Sequence, residues 1–167
     1  ITFILSGELE GEALFREMLE LSPLLPQESR HLIGVTRSTL ASVLADQGKF
    51  DEALTTAQQA VEECQRLETM TTPDYGFVLT VYGGFLAERG NFINADSALL
   101  ASETIIRKLQ SPSSLWLGDN LRNQAISFCQ QGKNKEALAK VEEALKIYRT
   151  RYSSRASAWP RLWQKTI

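Results

Sequence analysis

Few residues in this sequence combine the chemical type and the spacing that catalysis needs. His31 is the single histidine, set beside Arg30 where a helix is expected to begin. With no paired acid and nucleophile near it in sequence, it reads as a surface or capping residue and not as a general base. Cys64 and Cys129 fall on separate expected helices with no His or Cys at ligand spacing, so neither metal binding nor a disulfide framework is expected. Both read as free, buried thiols. The paired acids Asp51-Glu52 and Glu142-Glu143 have lysines nearby on helix faces and read as solvated charge. Tyr82-Gly83-Gly84 lacks the lysine and the preceding strand of a phosphate-binding loop. A non-enzymatic protein without cofactor or metal is the expectation.

Charge narrows the partners. The chain has 167 residues, with 18 basic and 20 acidic side chains and a net charge of −2. The charges are interspersed, so no basic stripe for nucleic acid and no polybasic membrane patch emerges. Apolar runs such as Ile1 to Leu5 fall far short of the roughly 18 residues that a membrane span needs. Cysteine usage permits a reducing compartment, and a cytoplasmic location is the expectation. The chain begins at Ile1 with no signal-peptide pattern, and a piece of something longer is expected.

The elements that could position a site are set by a repeat. Gly48-Lys49-Phe50-Asp51-Glu52-Ala53-Leu54 returns as Gly90-Asn91-Phe92-Ile93-Asn94-Ala95 and again as Gly132-Lys133-Asn134-Lys135-Glu136-Ala137-Leu138, each time after 42 residues. A period of about 20 to 50 residues marks a stacked-repeat architecture. Each glycine suits a helix C-terminus, where a left-handed residue closes the last turn. Acids after it suit the next helix N-terminus.

Flanking each glycine, apolar residues recur three and four apart, the signature of an amphipathic helix. Leu40, Ala41, Leu44 and Ala45 precede Gly48, on a helix expected from about Pro26 to Gln47. The stripe Phe50, Ala53, Leu54, Ala57, Ala60, Val61, Cys64 and Leu67 follows it. In the second unit, opened by Thr72-Pro73-Asp74, the pattern is Leu79, Tyr82, Gly83, Leu86 and Ala87, then Phe92, Ala95, Leu99, Ser102 and Ile106. Asp96 and Glu103 stand where the first unit has Leu54 and Val61, so this face is expected to be partly open or to meet a polar partner. The third unit, from Ser111-Pro112 or Ser114, has the cleanest second helix: Ala137, Leu138, Val141, Ala144, Leu145 and Tyr148.

Gly34, Gly76 and Gly118 form a second ladder of the same period. Gly inside a helix costs about 1 kcal/mol relative to Ala. Three such costs at one repeat position point to a crowded contact with a neighbouring helix, a helix start, or a small share in a binding floor. The domain reading is one array over 1–167: a partial repeat over 1–25 with Gly7 in the place of Gly48, whole repeats over 26–68, 69–110 and 111–152, and a partial repeat or capping helix over 153–167.

The turn glycine, the aromatic two residues beyond it (Phe50, Phe92; Asn134 departs), the alanine five beyond it (Ala53, Ala95, Ala137) and the small residue seven before it (Ala41, Gly83, Ala125) resemble tetratricopeptide repeats. The form is the long one of about 42 residues, similar to the repeats of kinesin light chains. The resemblance implies an all-α fold, a right-handed α-solenoid of antiparallel helix hairpins with about seven to eight helices. It implies further that the first helix of each pair lines a concave groove that receives a peptide or another protein.

Carried over position by position, that groove is lined by Val35, Ser38, Ser42 and Ala45, then Phe77, Thr80, Gly84 and Ala87, then Asp119, Arg122, Ile126 and Cys129, with Thr39, Val81 and Asn123 beside them. Most are small and uncharged, so a roomy groove is expected, with one basic point at Arg122 and an amide at Asn123. Some relatives grip a terminal carboxylate with Lys, Arg and Asn, a cluster missing from the first two units here. The paired asparagines of kinesin-like relatives are replaced by Ser38-Thr39, Thr80-Val81 and Arg122-Asn123.

The functional expectation is a scaffold that binds a peptide or protein segment in the groove. The alternatives are a regulatory or sensing segment of a larger bacterial signalling protein, such as a kinase or an ATP-driven regulator, whose groove engages its own chain, and a groove that is only a packing surface. Self-association through the array ends or the groove stays open. Trp116, Trp159 and Trp163 stand outside the regular stripes; the last two either mark a contact site or seal the end of the stack.

Overall fold

Three glycines turn the chain back on itself at equal intervals. In the computed structural model, which describes residues 2–112 and 114–156, Gly48, Gly90 and Gly132 have φ of 78°, 74° and 74°. A Cβ built on any of them would meet nothing within 4 Å. The backbone conformation, not crowding, therefore requires glycine there. Each closes the same pair of bonds: Gly48 N–H to Ala45 O (2.8 Å) with Lys49 N–H to Leu44 O (2.9 Å), Gly90 to Ala87 (2.9 Å) with Asn91 to Leu86 (2.9 Å), and Gly132 to Cys129 (3.0 Å) with Lys133 to Phe128 (2.9 Å). This arrangement satisfies the carbonyls that a helix end leaves bare.

The result is seven α-helices and no strand among the described residues: α1 (Thr2–Glu20), α2 (His31–Asp46), α3 (Phe50–Arg66), α4 (Pro73–Glu88), α5 (Phe92–Leu109), α6 (Leu115–Gln130) and α7 (Asn134–Ala156). Two short 3-10 turns, Ser22–Leu24 and Gln27–Ser29, connect α1 to α2. The pairs α2/α3, α4/α5 and α6/α7 pack as hairpins, and each hairpin leans on the next. This is an α-helical solenoid, since no hairpin buries its own apolar face and neighbours must cover it.

The core is a series of small clusters at the joints. Phe15 and Leu19 of α1 pack on Leu40, Leu44 and Ala53. Leu54 reaches from α3 to Leu86, Ala87 and Ala95 of the next hairpin. Ile106, Leu117, Leu121, Ala144 and Ile147 close the last joint. The second glycine ladder is a crowded contact: a Cβ on Gly34 would lie 2.3 Å from Cys64 Sγ, on Gly76 2.8 Å from Ile106 Cγ1, and on Gly118 2.9 Å from Tyr148 Cε1. All three glycines are buried. The large residue each faces is itself repeated with the same period, so the cost of glycine in a helix is offset by closer packing.

Several expectations are corrected. The first helix of the first whole unit begins at His31 and not near Pro26, because Pro23 and Pro26 confine the preceding stretch to short turns. Gly7 lies inside α1 and forms no turn; the residues ahead of it are already helical, and glycine there only lowers helix propensity. Phe50 is 53% exposed at the first residue of α3. Cys129 is exposed and only Cys64 is buried. On α7, Leu138, Val141 and Leu145 are exposed, although they occupy the repeat positions of Leu54, Ala57 and Val61. Those positions pack on a following hairpin, and among the described residues none follows α7. Pro160, Trp159 and Trp163 lie outside the described residues.

Candidate functional site

The first helices α2, α4 and α6 stand side by side, and their inward positions repeat every 42 residues. Ser42, Phe77, Thr80, Val81, Gly84, Phe85, Glu88, Asp119, Arg122 and Asn123 surround one open hollow of about 240 Å³. It therefore brings together Ser42, Phe77, Thr80, Gly84, Asp119, Arg122 and Asn123 from the expected groove, with Val81 beside them. Val35, Thr39 and Ile126 lie on the same helices outside this hollow, and Thr39 donates to Val35 O at 2.9 Å. Ala87 is buried.

Ser38 is a correction, because it is fully buried and offers nothing to a ligand. Its Oγ has no hydrogen-bond partner, and the repeat explains why. One repeat later Thr80 is also buried, yet Ser102 donates to Gly76 O at 2.6 Å and lies 2.7 Å from Thr80 Oγ1. The Thr80 hydrogen has two acceptors in reach, Ser102 Oγ and Gly76 O at 3.0 Å, and Asn120 Nδ2 donates to Thr80 Oγ1 at 3.1 Å. The residues matching Ser102 and Asn120 around Ser38 are Ala60 and Val78, both apolar.

The polar ladder continues outward. Asn120 also donates to Leu99 O at 3.0 Å and accepts from Gln124 at 2.7 Å, and Gln124 donates to Glu103 at 2.7 Å. Lys140 and Arg107 reach the same carboxylate at 2.9 and 2.8 Å. Burial would raise Glu103, but bonds from Gln124, Lys140 and Arg107 outweigh it and hold the carboxyl below its ordinary range. Asp96 accepts from Ser127 at 2.7 Å and from Gln131 at 3.0 Å. The polar partner of Asp96 and Glu103 is thus the next hairpin of the same chain.

One wall of the hollow is made by close approach of α4 and α6. Asn123 Nδ2 donates to Thr80 O at 3.3 Å, and a Cβ on Gly84 would lie 2.8 Å from that nitrogen. The expected free amide is therefore engaged within the wall. Phe77 and Trp116 stack with centroids 5.7 Å apart at 38°. Asp119 accepts from Tyr148 OH at 2.7 Å, and burial, with the Asp119 bond, pushes the Tyr148 phenol well up. Arg122 and Glu88 are exposed, and neither makes a hydrogen bond or ion pair among the described residues.

Sequence reasoning missed Phe85 and Glu88, and it misplaced Phe50. Phe50, Leu54, Phe85, Glu88 and Arg89 bound a second hollow of about 250 Å³ at the turn edge. The available signal was Phe50 itself, an aromatic at the first helical position, where half its surroundings are solvent. His31 Nε2 lies 3.6 Å from Asp74 Oδ2, a contact between hairpins. Burial pushes the Cys64 thiol up, which keeps it protonated and a poor nucleophile. Among the described residues no group of three or more His, Cys, Asp or Glu could hold a metal ion. No helix there is long and apolar enough to cross a membrane.

Comparison with known proteins agrees with this geometry. One family model described as tetratricopeptide repeat matches residues 74–150, and a second of the same description matches residues 34–68. Together they span more than half of the sequence. No curated protein matches.

Proposed function

We propose, from the premise that this chain belongs to the tetratricopeptide repeat family, that it is a non-enzymatic scaffold whose α2/α4/α6 groove receives a peptide or protein segment. Repeats of this family generally mediate protein–protein interaction. The observation that carries the reading is the hollow that Ser42, Phe77, Thr80, Gly84, Asp119 and Arg122 surround across three successive hairpins. Small side chains leave room there, while the adjacent Phe77 and Trp116 rings and the exposed Arg122 guanidinium supply contact and charge. Aromatic and arginine side chains dominate binding energy at such surfaces. The segment comes from another protein, or from elsewhere in a longer parent chain of the signalling kind.

A photo-crosslinking amino acid tests this when placed at Ser42 or Arg122, and separately at Glu62 or Thr104 on second helices, in cells that make the protein. Adducts confined to the groove positions are expected, and their mass identifies the occupant. Adducts formed only from Glu62 and Thr104 would contradict the reading.

A further inference from the structure

The hollow at the turn edge and the hollow in the groove share two residues, Phe85 and Glu88. They meet at the Phe85/Glu88 ridge, so a ligand laid across it would follow one trough from Phe50 and Leu54 to Asp119, Arg122 and Asn123. Its two ends differ in chemistry. At the turn edge the walls are two aromatic rings and a leucine, and the only cation among the described lining residues, Arg89, is ion-paired with Asp51. At the ridge, Glu88 is a carboxylate without a partner among the described residues. At the far end Arg122 is a guanidinium without one, while Asp119 is engaged by Tyr148.

Shape argues against a compact metabolite. Pockets for such ligands enclose most of the molecule, whereas these two hollows lie open in series. A chain that presents one side chain to each hollow suits them better.

We propose that the trough selects a peptide segment with three features in order. An aromatic or branched aliphatic side chain sits between Phe50, Leu54 and Phe85; a Lys or Arg follows on Glu88; an acidic group lies beyond on Arg122. This rests on the groove reading above and specifies its ligand. Affinity comes from desolvating the apolar anchor against Phe50, which is 53% exposed when the trough is empty. Glu88 and Arg122, exposed at the rim, add little energy but reject the wrong charge.

The test uses a phage-displayed library of random peptides panned on the full chain and on the variants Phe50→Ser, Glu88→Lys and Arg122→Glu. Circular dichroism and melting first establish that each variant folds, as the exposure of all three side chains leads one to expect. The expected consensus is an apolar residue, then a basic one, then an acidic one. Phe50→Ser should weaken a selected peptide about tenfold, the loss of one modest anchor. Glu88→Lys should exchange the basic position for an acidic one, and Arg122→Glu the reverse. Peptides that bind equally well to wild type and all three variants would overturn this inference while leaving groove binding intact. No enrichment on the wild-type chain would overturn both.

Discussion

Ser38 and Thr80 sit one repeat apart in equivalent buried places, yet only Thr80 has partners. A buried hydroxyl without a hydrogen bond forfeits its solvation, a cost of about 1–3 kcal/mol. Ser38→Ala should therefore be neutral or stabilising in urea denaturation, whereas Thr80→Val should cost about 1–3 kcal/mol by leaving one Asn120 N–H without its acceptor. Equal losses at both positions would mean that Ser38 has a partner after all. Glu68 poses the opposite case, a non-glycine residue at φ 56° closing α3, with Thr69 N–H on Cys64 O at 2.9 Å. Left-handed geometry costs an ordinary residue about 1–2 kcal/mol, so Glu68→Gly should raise stability by about 1 kcal/mol. An unchanged denaturation midpoint would show that this turn relaxes in solution.

Helices succeed or fail here by what lies against them. Helical periodicity in the sequence located α3, α5 and α7, whose small residues Ala53, Ala95 and Ala137 are all buried. The same periodicity misjudged Phe50, Leu138, Val141 and Leu145, because it reports a helix face and not whether a neighbour exists to cover it. Asp96 and Glu103 looked like weak points of the α5 stripe. Their partners, Ser127, Gln131, Gln124 and Lys140, lie on other helices 21 to 37 residues away, beyond the reach of local patterning. Comparison of units carried the hint, since Ser102 and Asn120 replace Ala60 and Val78 at the same joint where the acids appear.

The first helix shows an electrostatic dependence. Glu12 of α1 accepts from Lys49 Nζ at 2.8 Å, and Arg16 bridges Glu12 at 2.9 Å and Glu52 at 2.6 Å. Bonds from Lys49 and then Arg16 hold Glu12 down at about 2. A carboxyl lowered on folding contributes stability that is complete above its ordinary value and lost as pH falls towards about 2. Hydrogen exchange should show α1 loosening on α2 and α3 as pH falls through that window, and Glu12→Gln should remove the dependence. Identical acid profiles for the two proteins would refute this contribution.

At the scale of the molecule, the two joints between hairpins differ in kind. Ala60, Cys64 and Val78 join the first to the second by apolar packing, while the second and third add to their apolar cluster of Ile106, Leu117 and Leu121 the buried Thr80–Asn120–Gln124–Glu103 ladder. Glu103→Ala should cost about 2 kcal/mol, since several charge-assisted bonds lose their acceptor, and should loosen α6 and α7 before α2 and α3. Repeat arrays unfold by neighbouring units, so hydrogen exchange resolves that order, and simultaneous loosening would contradict it.

The solenoid itself was legible from three glycines and their spacing, and the family resemblance pointed to helices α2, α4 and α6, between which a hollow lies. The second hollow at Phe50 was not legible, because it arises between a turn and the next hairpin. That second hollow matters only if the inward wall of α2, α4 and α6 is where ligands sit, and backbone amide NMR of the full chain, titrated with a library-selected peptide, tests this most directly. The expected result is saturable shifts at Ser42, Phe77, Gly84, Glu88 and Arg122. Shifts confined to the outer residues of α3, α5 and α7 would contradict it.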